Sequence, residues 1–338
     1  MTGEMQMMPK KIKIAVIVFC VLLVLALAGV ALAGNYMVSF AIGRTASAGN
    51  TASIVPPSEV SEEDSRAISD HWQRLAQQTK DWGETVQRES ASVTSEDGLT
   101  LYAEYALNPE PSHLWLIAVH GYRGNHTHMF TLASFYGLRG YNVLLPDLRG
   151  CGESQGDYIG MGWPDRKDML LWIDWIIRRD PEARIVLHGI SMGGATVTMT
   201  AGEALPPQVR AIVEDCGYTS VWDIFGDELQ VIFHLPQFPI LPAASAIASL
   251  RAGYSFSEAS SLNQVKKAKV PMLFIHGEKD NFVRTGMVYP LYEACPTEKK
   301  LLVVEGAGHG SSYSMDPELY FDTVFGFIAP YMQEGETK

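Results

Sequence analysis

The pentapeptide Gly189-Ile190-Ser191-Met192-Gly193 constrains this chain most. It follows an apolar run at 183–188 that reads as a buried strand. It precedes Gly194-Ala195-Thr196-Val197-Thr198-Met199-Thr200-Ala201, small residues suited to a helix packed on a sheet. A G-x-S-x-G between strand and helix makes a sharp, strained turn that pushes the serine hydroxyl out of the chain. Side chains at the glycines would clash with the neighbouring elements. A serine hydroxyl is a weak nucleophile, so the turn acquires chemical meaning only if a base and an acid lie elsewhere.

The surroundings of the turn fix the class of fold. A hairpin is expected over 91–106, around the Glu96-Asp97-Gly98 turn, and strands at 114–120, 142–146, 184–188, 211–214, 272–276 and 301–304. Helical stretches separate them. The best marked starts at Pro164, with Asp165 and Asp168 early, Arg178 and Arg179 late, and Leu171, Trp172, Trp175 and Ile176 on an apolar face. Such alternation predicts an α/β fold, a mostly parallel central sheet with helices on both faces. Of 338 residues 47% are hydrophobic, enough for a large core. The net charge of −12 argues against a nucleic-acid surface. Cys20, Cys151, Cys216 and Cys295 have no C-x-x-C spacing, so neither a zinc site nor a disulfide framework is expected.

The ends of this fold are marked by composition. Lys10, Lys11 and Lys13 precede an uncharged stretch from Ile14 to Ala33, which as a helix spans roughly 30 Å, one bilayer core. A cleaved signal ending at Ala31-Leu32-Ala33 is the competing reading, but the apolar run continues to Ile42 and is longer than a signal core. The expected organisation is a cytoplasmic terminus at 1–13, a transmembrane anchor at 14–42, a linker at 43–65 and a folded domain at 66–334. The lysines favour an inside amino terminus, which leaves the domain outside the cell membrane. An amphipathic helix is expected near 64–82, carrying Ile68, Trp72, Leu75 and Ala76. Over about 217–266 the alternation stops and aromatic and aliphatic residues crowd between Pro236, Pro239 and Pro242. This segment reads as a helical cap over a pocket, or as helices completing the core.

Two loops supply the partners of Ser191. Asp280 follows the fifth parallel strand and His309 the sixth, giving the order Ser191, Asp280, His309. His309 would take the serine proton as general base, and Asp280 would fix its tautomer and stabilise its cation. The backbone amides of Tyr122, in the loop after the first parallel strand, and of Met192 would form an oxyanion hole. Three rivals have plainer readings. Asp215 is expected to bind loop amides near Cys216 and Gly217, and Ser154 lacks the strand-to-helix turn. His126 and His128 have no carboxylate or cysteine pattern to complete a metal site. Asn125-His126-Thr127 matches a glycosylation sequon, here read as chance.

With these residues assembled, the chain resembles the α/β-hydrolase superfamily over roughly residues 85–332. It is most similar to membrane-anchored bacterial hydrolases of the prolyl-oligopeptidase-like or BEM46-like group. The matching stretches include His120-Gly121-Tyr122-Arg123-Gly124, Pro146-Asp147-Leu148-Arg149-Gly150 and Asp215-Cys216-Gly217-Tyr218. The resemblance implies a Ser191/Asp280/His309 triad, no cofactor, and hydrolysis of esters or related acyl compounds, small or lipid-like. Cys151 departs from the group, whose members often carry histidine there. Two alternatives stay open at this point: an amidase or peptidase using the same triad, and a membrane-tethered binding protein without turnover. Nothing in the sequence fixes the oligomeric state.

Overall fold

Each apolar run places its alternate side chains on opposite faces of one sheet. In the computed structural model, which describes residues 9–44 and 61–333, the strands are β1 (Arg88–Thr94), β2 (Thr100–Ala106), β3 (Leu114–Val119), β4 (Asn142–Pro146), β5 (Arg184–Ile190), β6 (Val209–Asp215), β7 (Met272–Gly277) and β8 (Lys299–Val304). They form one eight-stranded sheet in the order β1-β2-β4-β3-β5-β6-β7-β8. The β1–β2 hairpin joins antiparallel to β4, and all later pairings are parallel. β4 and β7 are buried at every position, as parallel strands covered on both faces must be. β1, at one edge, is largely exposed.

The helices are α1 (Lys10–Ile42), α2 (Glu62–Gly83), α3 (Phe130–Gly137), α4 (Asp165–Arg179), α5 (Met192–Thr200), α6 (Val221–Phe233), α7 (Gln237–Ala252), α8 (Ser261–Val265), α9 (Val288–Ala294), α10 (Ser312–Met315) and α11 (Pro317–Ile328). Two cores result. Trp115, Ile117 and Val119 of β3 face a core that includes residues of α4, α5 and the 221–252 helices, while Leu116 and Ala118 face the one shared with α2, α3 and α11. The expected cap segment folds as α6, α7 and α8, and the side-chain hydroxyl of Ser220 caps α6 by accepting from the Asp223 amide.

α1 does not stop at Ala33, where a membrane-spanning length is complete. It is one helix of 33 residues, about 50 Å long. Between Ile14 and Leu32 every side chain is apolar and all but Val30 are exposed, whereas Gly34, Val38 and Ile42 are buried against the domain. It is long and apolar enough to cross a membrane. Beyond it, Gly43 bridges to Tyr158, and the Arg44 guanidinium donates to the Gly152 and Ser154 carbonyls. The rest of the linker expected at 43–65 falls largely on residues 45–60, outside the described residues, as do residues 1–8 of the expected cytoplasmic terminus.

α2 packs through Leu75 and Trp82, both buried in the second core. Trp82 lies against Gly137 of α3, where any Cβ would strike the indole. Trp82→Ala is expected to cost about 3–5 kcal/mol, read as a lower midpoint in chemical denaturation with an unchanged sheet signature in circular dichroism.

Candidate active site

The turn after β5 is built by backbone contact. A Cβ on Gly193 would meet the Val119 carbonyl of β3, and one on Gly189 would meet the Gly193 carbonyl. Only glycine allows these approaches. They force Ser191 to φ 58° and ψ −120°, a left-handed conformation that L-residues rarely adopt. The Ser191 amide donates to the Asp215 carbonyl at 2.8 Å, tying the turn to β6. The serine side chain then stands at the carboxyl end of the sheet, nearly buried, with α5 starting behind it.

The structure brings all three expected side chains together there. His309 Nε2 lies 2.8 Å from Ser191 Oγ, and His309 Nδ1 lies 2.8 Å from Asp280 Oδ2. With the carboxylate facing Nδ1, the proton belongs on Nδ1, and Nε2 is free to accept from the serine hydroxyl. Asp280 Oδ1 accepts the amides of Phe282 (3.1 Å) and Val283 (3.0 Å). Its Oδ2 also lies 3.2 Å from His276 Nε2, which donates to the Val283 carbonyl at 2.8 Å. Burial alone would push the Asp280 carboxyl up. Its electrostatic interaction with the facing His309, and the bonds from His276 and His309, outweigh it and hold that carboxyl below its ordinary range. Phe282 packs edge-on against the His309 ring, with centroids 4.9 Å apart.

The loop after β3 lies across the serine. A Cβ on Gly121 would be 3.3 Å from the Ser191 Cβ, and Tyr122 lines the same cavity as Ser191, so this loop borders the serine. The loop is held by His120, fully buried, whose Nδ1 donates to the Gly121 carbonyl (2.7 Å) while Nε2 accepts the Leu148 amide (3.0 Å). Burial brings this imidazole down to about 4, so it is neutral and can do both. The Met192 amide, at the first position of α5, has no carbonyl within its own helix to bind.

Above Ser191 lies a largely apolar cavity of about 90 Å³, bounded by Tyr122, Met192, Phe282 and residues of α6 and α7. Met37, Phe40 and Ala41 of α1 form part of its wall. One carboxyl, Glu228 of α6, also borders it. Burial, then the nearby Asp227, pushes Glu228 up to about 8. Its Oε2 is buried without a hydrogen-bond partner among the described residues.

A family model described as "Alpha/beta hydrolase family" matches residues 116–323. The chain belongs to the alpha/beta hydrolase family. Membership makes the protein a hydrolase. Among relatives, YqkD of Bacillus subtilis is 27% identical over 225 residues, covering 66% of this chain and 74% of YqkD. The bem46 protein of Schizosaccharomyces pombe is 25% identical over 221 residues, covering 64% and 68%, and supports placement in the BEM46-like group. The fold also superposes on an esterase of Pyrococcus furiosus, with TM-score 0.61 at 23% identity over 75% of this chain and 96% of that one.

The rival residues are engaged elsewhere. Asp215 does not bind loop amides. Its Oδ2 accepts from the Tyr320 hydroxyl at 2.9 Å, and the Gly217 amide goes instead to Glu214. The reason is the strand period: Glu214 and Asp215 point to opposite faces of the sheet. Ser154 Oγ donates to the Asp147 carbonyl (2.6 Å) and accepts the Tyr102 amide (2.8 Å). His126 is bound through ring and amide to Asp147 Oδ1, while His128 is exposed. Cys216 Sγ does lie within 4.8 Å of ligand atoms of Asp280 and His309. Burial raises its thiol far above the ordinary value, and the facing Asp280 and His309 atoms bind each other.

His276, His120 and Glu228, together with the α1 wall, were not anticipated as parts of the site. For His276 the signal is its place four residues before Asp280; for α1 it is the apolar run continuing past Ala33. Gly193→Ala places a methyl against a strand carbonyl that cannot move. It is expected to lower the melting temperature by several degrees or abolish soluble expression, and an unchanged melting temperature would contradict the packing described.

Proposed function

We propose that the protein is a serine hydrolase cleaving carboxylic esters through an acyl-enzyme on Ser191. The observation that carries this reading is the continuous hydrogen-bond chain from Asp280 through His309 to Ser191. His309 Nε2 removes the hydroxyl proton as Ser191 Oγ attacks the ester carbonyl carbon. The negative oxygen that forms is met by the Tyr122 and Met192 amides. Collapse expels the alkoxide, which takes the proton from His309, and leaves an ester on Ser191. Water, deprotonated by the same imidazole, then releases the carboxylic acid. Asp280 stays ionised throughout, as its lowered proton affinity requires.

The cavity favours an apolar acyl group, since its walls are aliphatic and aromatic. No step calls for a cofactor. α1 would anchor the enzyme in the cell membrane, with its lysine-flanked end inside and the catalytic domain outside.

A fluorophosphonate probe is expected to label the wild type and not Ser191→Ala. Asp280→Asn should lower kcat on a butyrate ester by about 10³–10⁴. Labelling that persists in Ser191→Ala would overturn the assignment, and faster turnover of matched anilides would redirect it to amide substrates.

Glu228 adds a pH signature. Below about 8 its carboxyl is neutral and compatible with an apolar acyl chain; above that it carries a charge into the cavity. KM for an apolar ester should therefore rise as pH increases through about 8. Glu228→Gln, which cannot ionise, should flatten that rise in a pH series of initial rates.

A further inference from the structure

We propose that the cap helix α7 lies on the membrane surface and that the cavity receives acyl esters resident in the bilayer. This deepens the esterase reading and rests on it. The first support is distance. From Ile14 a membrane-spanning length of α1 is complete at Ala33, and Phe40 and Ala41 already line the cavity. In an unbroken helix, Ala33 and Ala41 are about 12 Å apart along the axis. No flexible segment separates the membrane span from the site, so the cavity sits within about one headgroup layer of the hydrocarbon.

The second support is the orientation of α7. It packs on α1 where the span ends: a Cβ on Gly34 would lie 3.0 Å from the Ala244 amide nitrogen and 3.1 Å from Ala243. Arg251, at its far end, donates to Asn35 Oδ1 (2.7 Å) and Ser39 Oγ (3.0 Å). Asn35 is the first side chain after Lys13 that carries an amide, hydroxyl or charge. α7 is thereby placed at the level of the membrane boundary.

The third support is its outer face. Phe238, in the turn entering α7, is 77% exposed and Leu250 is 87% exposed. Pro242 and Ala246, at four-residue spacing from Leu250, are exposed as well. Between Glu228 and Arg251 there is no lysine, arginine, aspartate or glutamate. A helix apolar on both its inner and outer faces is unsuited to water. α7 packs on α1 at Gly34, flanked in sequence by the exposed Leu32 and Tyr36, and an interfacial position suits both helices. The substrate class that follows is an amphiphile whose long acyl chain rises from the bilayer along α1 and α7 and whose ester reaches Ser191.

The test uses the full-length chain in phosphatidylcholine vesicles, with a water-soluble umbelliferyl acetate and a bilayer-dissolved umbelliferyl palmitate. The double variant Phe238→Glu/Leu250→Glu leaves the cavity lining intact. It is expected to cut palmitate turnover by about tenfold or more while acetate turnover changes by less than about twofold. Unchanged palmitate turnover would overturn the proposal. As a readout independent of activity, an environment-sensitive dye on Leu250→Cys, in a Cys20→Ser background, should be quenched by doxyl-labelled lipid. An unquenched dye would overturn it, as would a double variant that converts a dimer to a monomer, which would assign this face to a second copy. If wild type shows neither acetate turnover nor fluorophosphonate labelling, the esterase reading fails by itself, and the dye still decides the membrane contact.

Discussion

The close approach of Gly193 to the Val119 carbonyl is the contact on which the site depends. It brings the turn after β5 against the end of β3, and so sets Ser191 beside the Gly121–Tyr122 loop. A side chain at Gly193 would separate the two by the width of a methyl group. That displacement would break the 2.8 Å reach from Ser191 to His309. The strain at Ser191 is sustained because two strands and α5 all hold it: its amide is bound by β6, and its carbonyl by the Ala195 amide.

Beneath the site lies a directional chain of buried polar groups. The Tyr136 hydroxyl donates to His188 Nδ1, His188 Nε2 donates to the Tyr320 oxygen, and the Tyr320 hydroxyl donates to Asp215. Each distance is 2.9 Å. Burial takes His188 down to about 3, so the ring is neutral and serves as donor on one side and acceptor on the other. The chain crosses from α3 through β5 to α11 and ends on the residue whose carbonyl binds the Ser191 amide. A fully satisfied network of this kind positions backbone without placing an unpaired charge in the core.

The sheet was legible in the sequence because parallel strands covered on both faces are short, almost wholly apolar runs. The six apolar runs coincide with β3 to β8 to within about two residues at each end, the usual scatter of element ends. Ser191, Asp280 and His309 were legible as a constellation because each follows a strand and such ends converge. What could not be read was anything decided by facing direction or by contacts distant in sequence. Asp215 shows the first kind: one residue of strand period exchanges its partner with that of Glu214. Glu228 shows the second, since the burial that chiefly raises its proton affinity comes from the packing of α1, α6 and α7 around the cavity, with its neighbour Asp227 adding to it. α1 shows both, because hydropathy marks an apolar helix but not which of its turns enter the domain.

That last point changes what the amino-terminal helix is. A tether joined by a loose segment would leave the site free to meet dissolved substrate at any distance from the membrane. Here the Tyr122 hydroxyl donates to the Ala41 carbonyl, and the Arg123 guanidinium to that of Phe40. The loop that borders Ser191 is thus bonded directly to the last turns of α1. Displacement of those turns would both open the cavity wall and release the loop that borders Ser191. The position of the helix and the competence of the site are therefore one mechanical quantity, and a chain lacking residues 34–42 would differ from the intact one in more than its location.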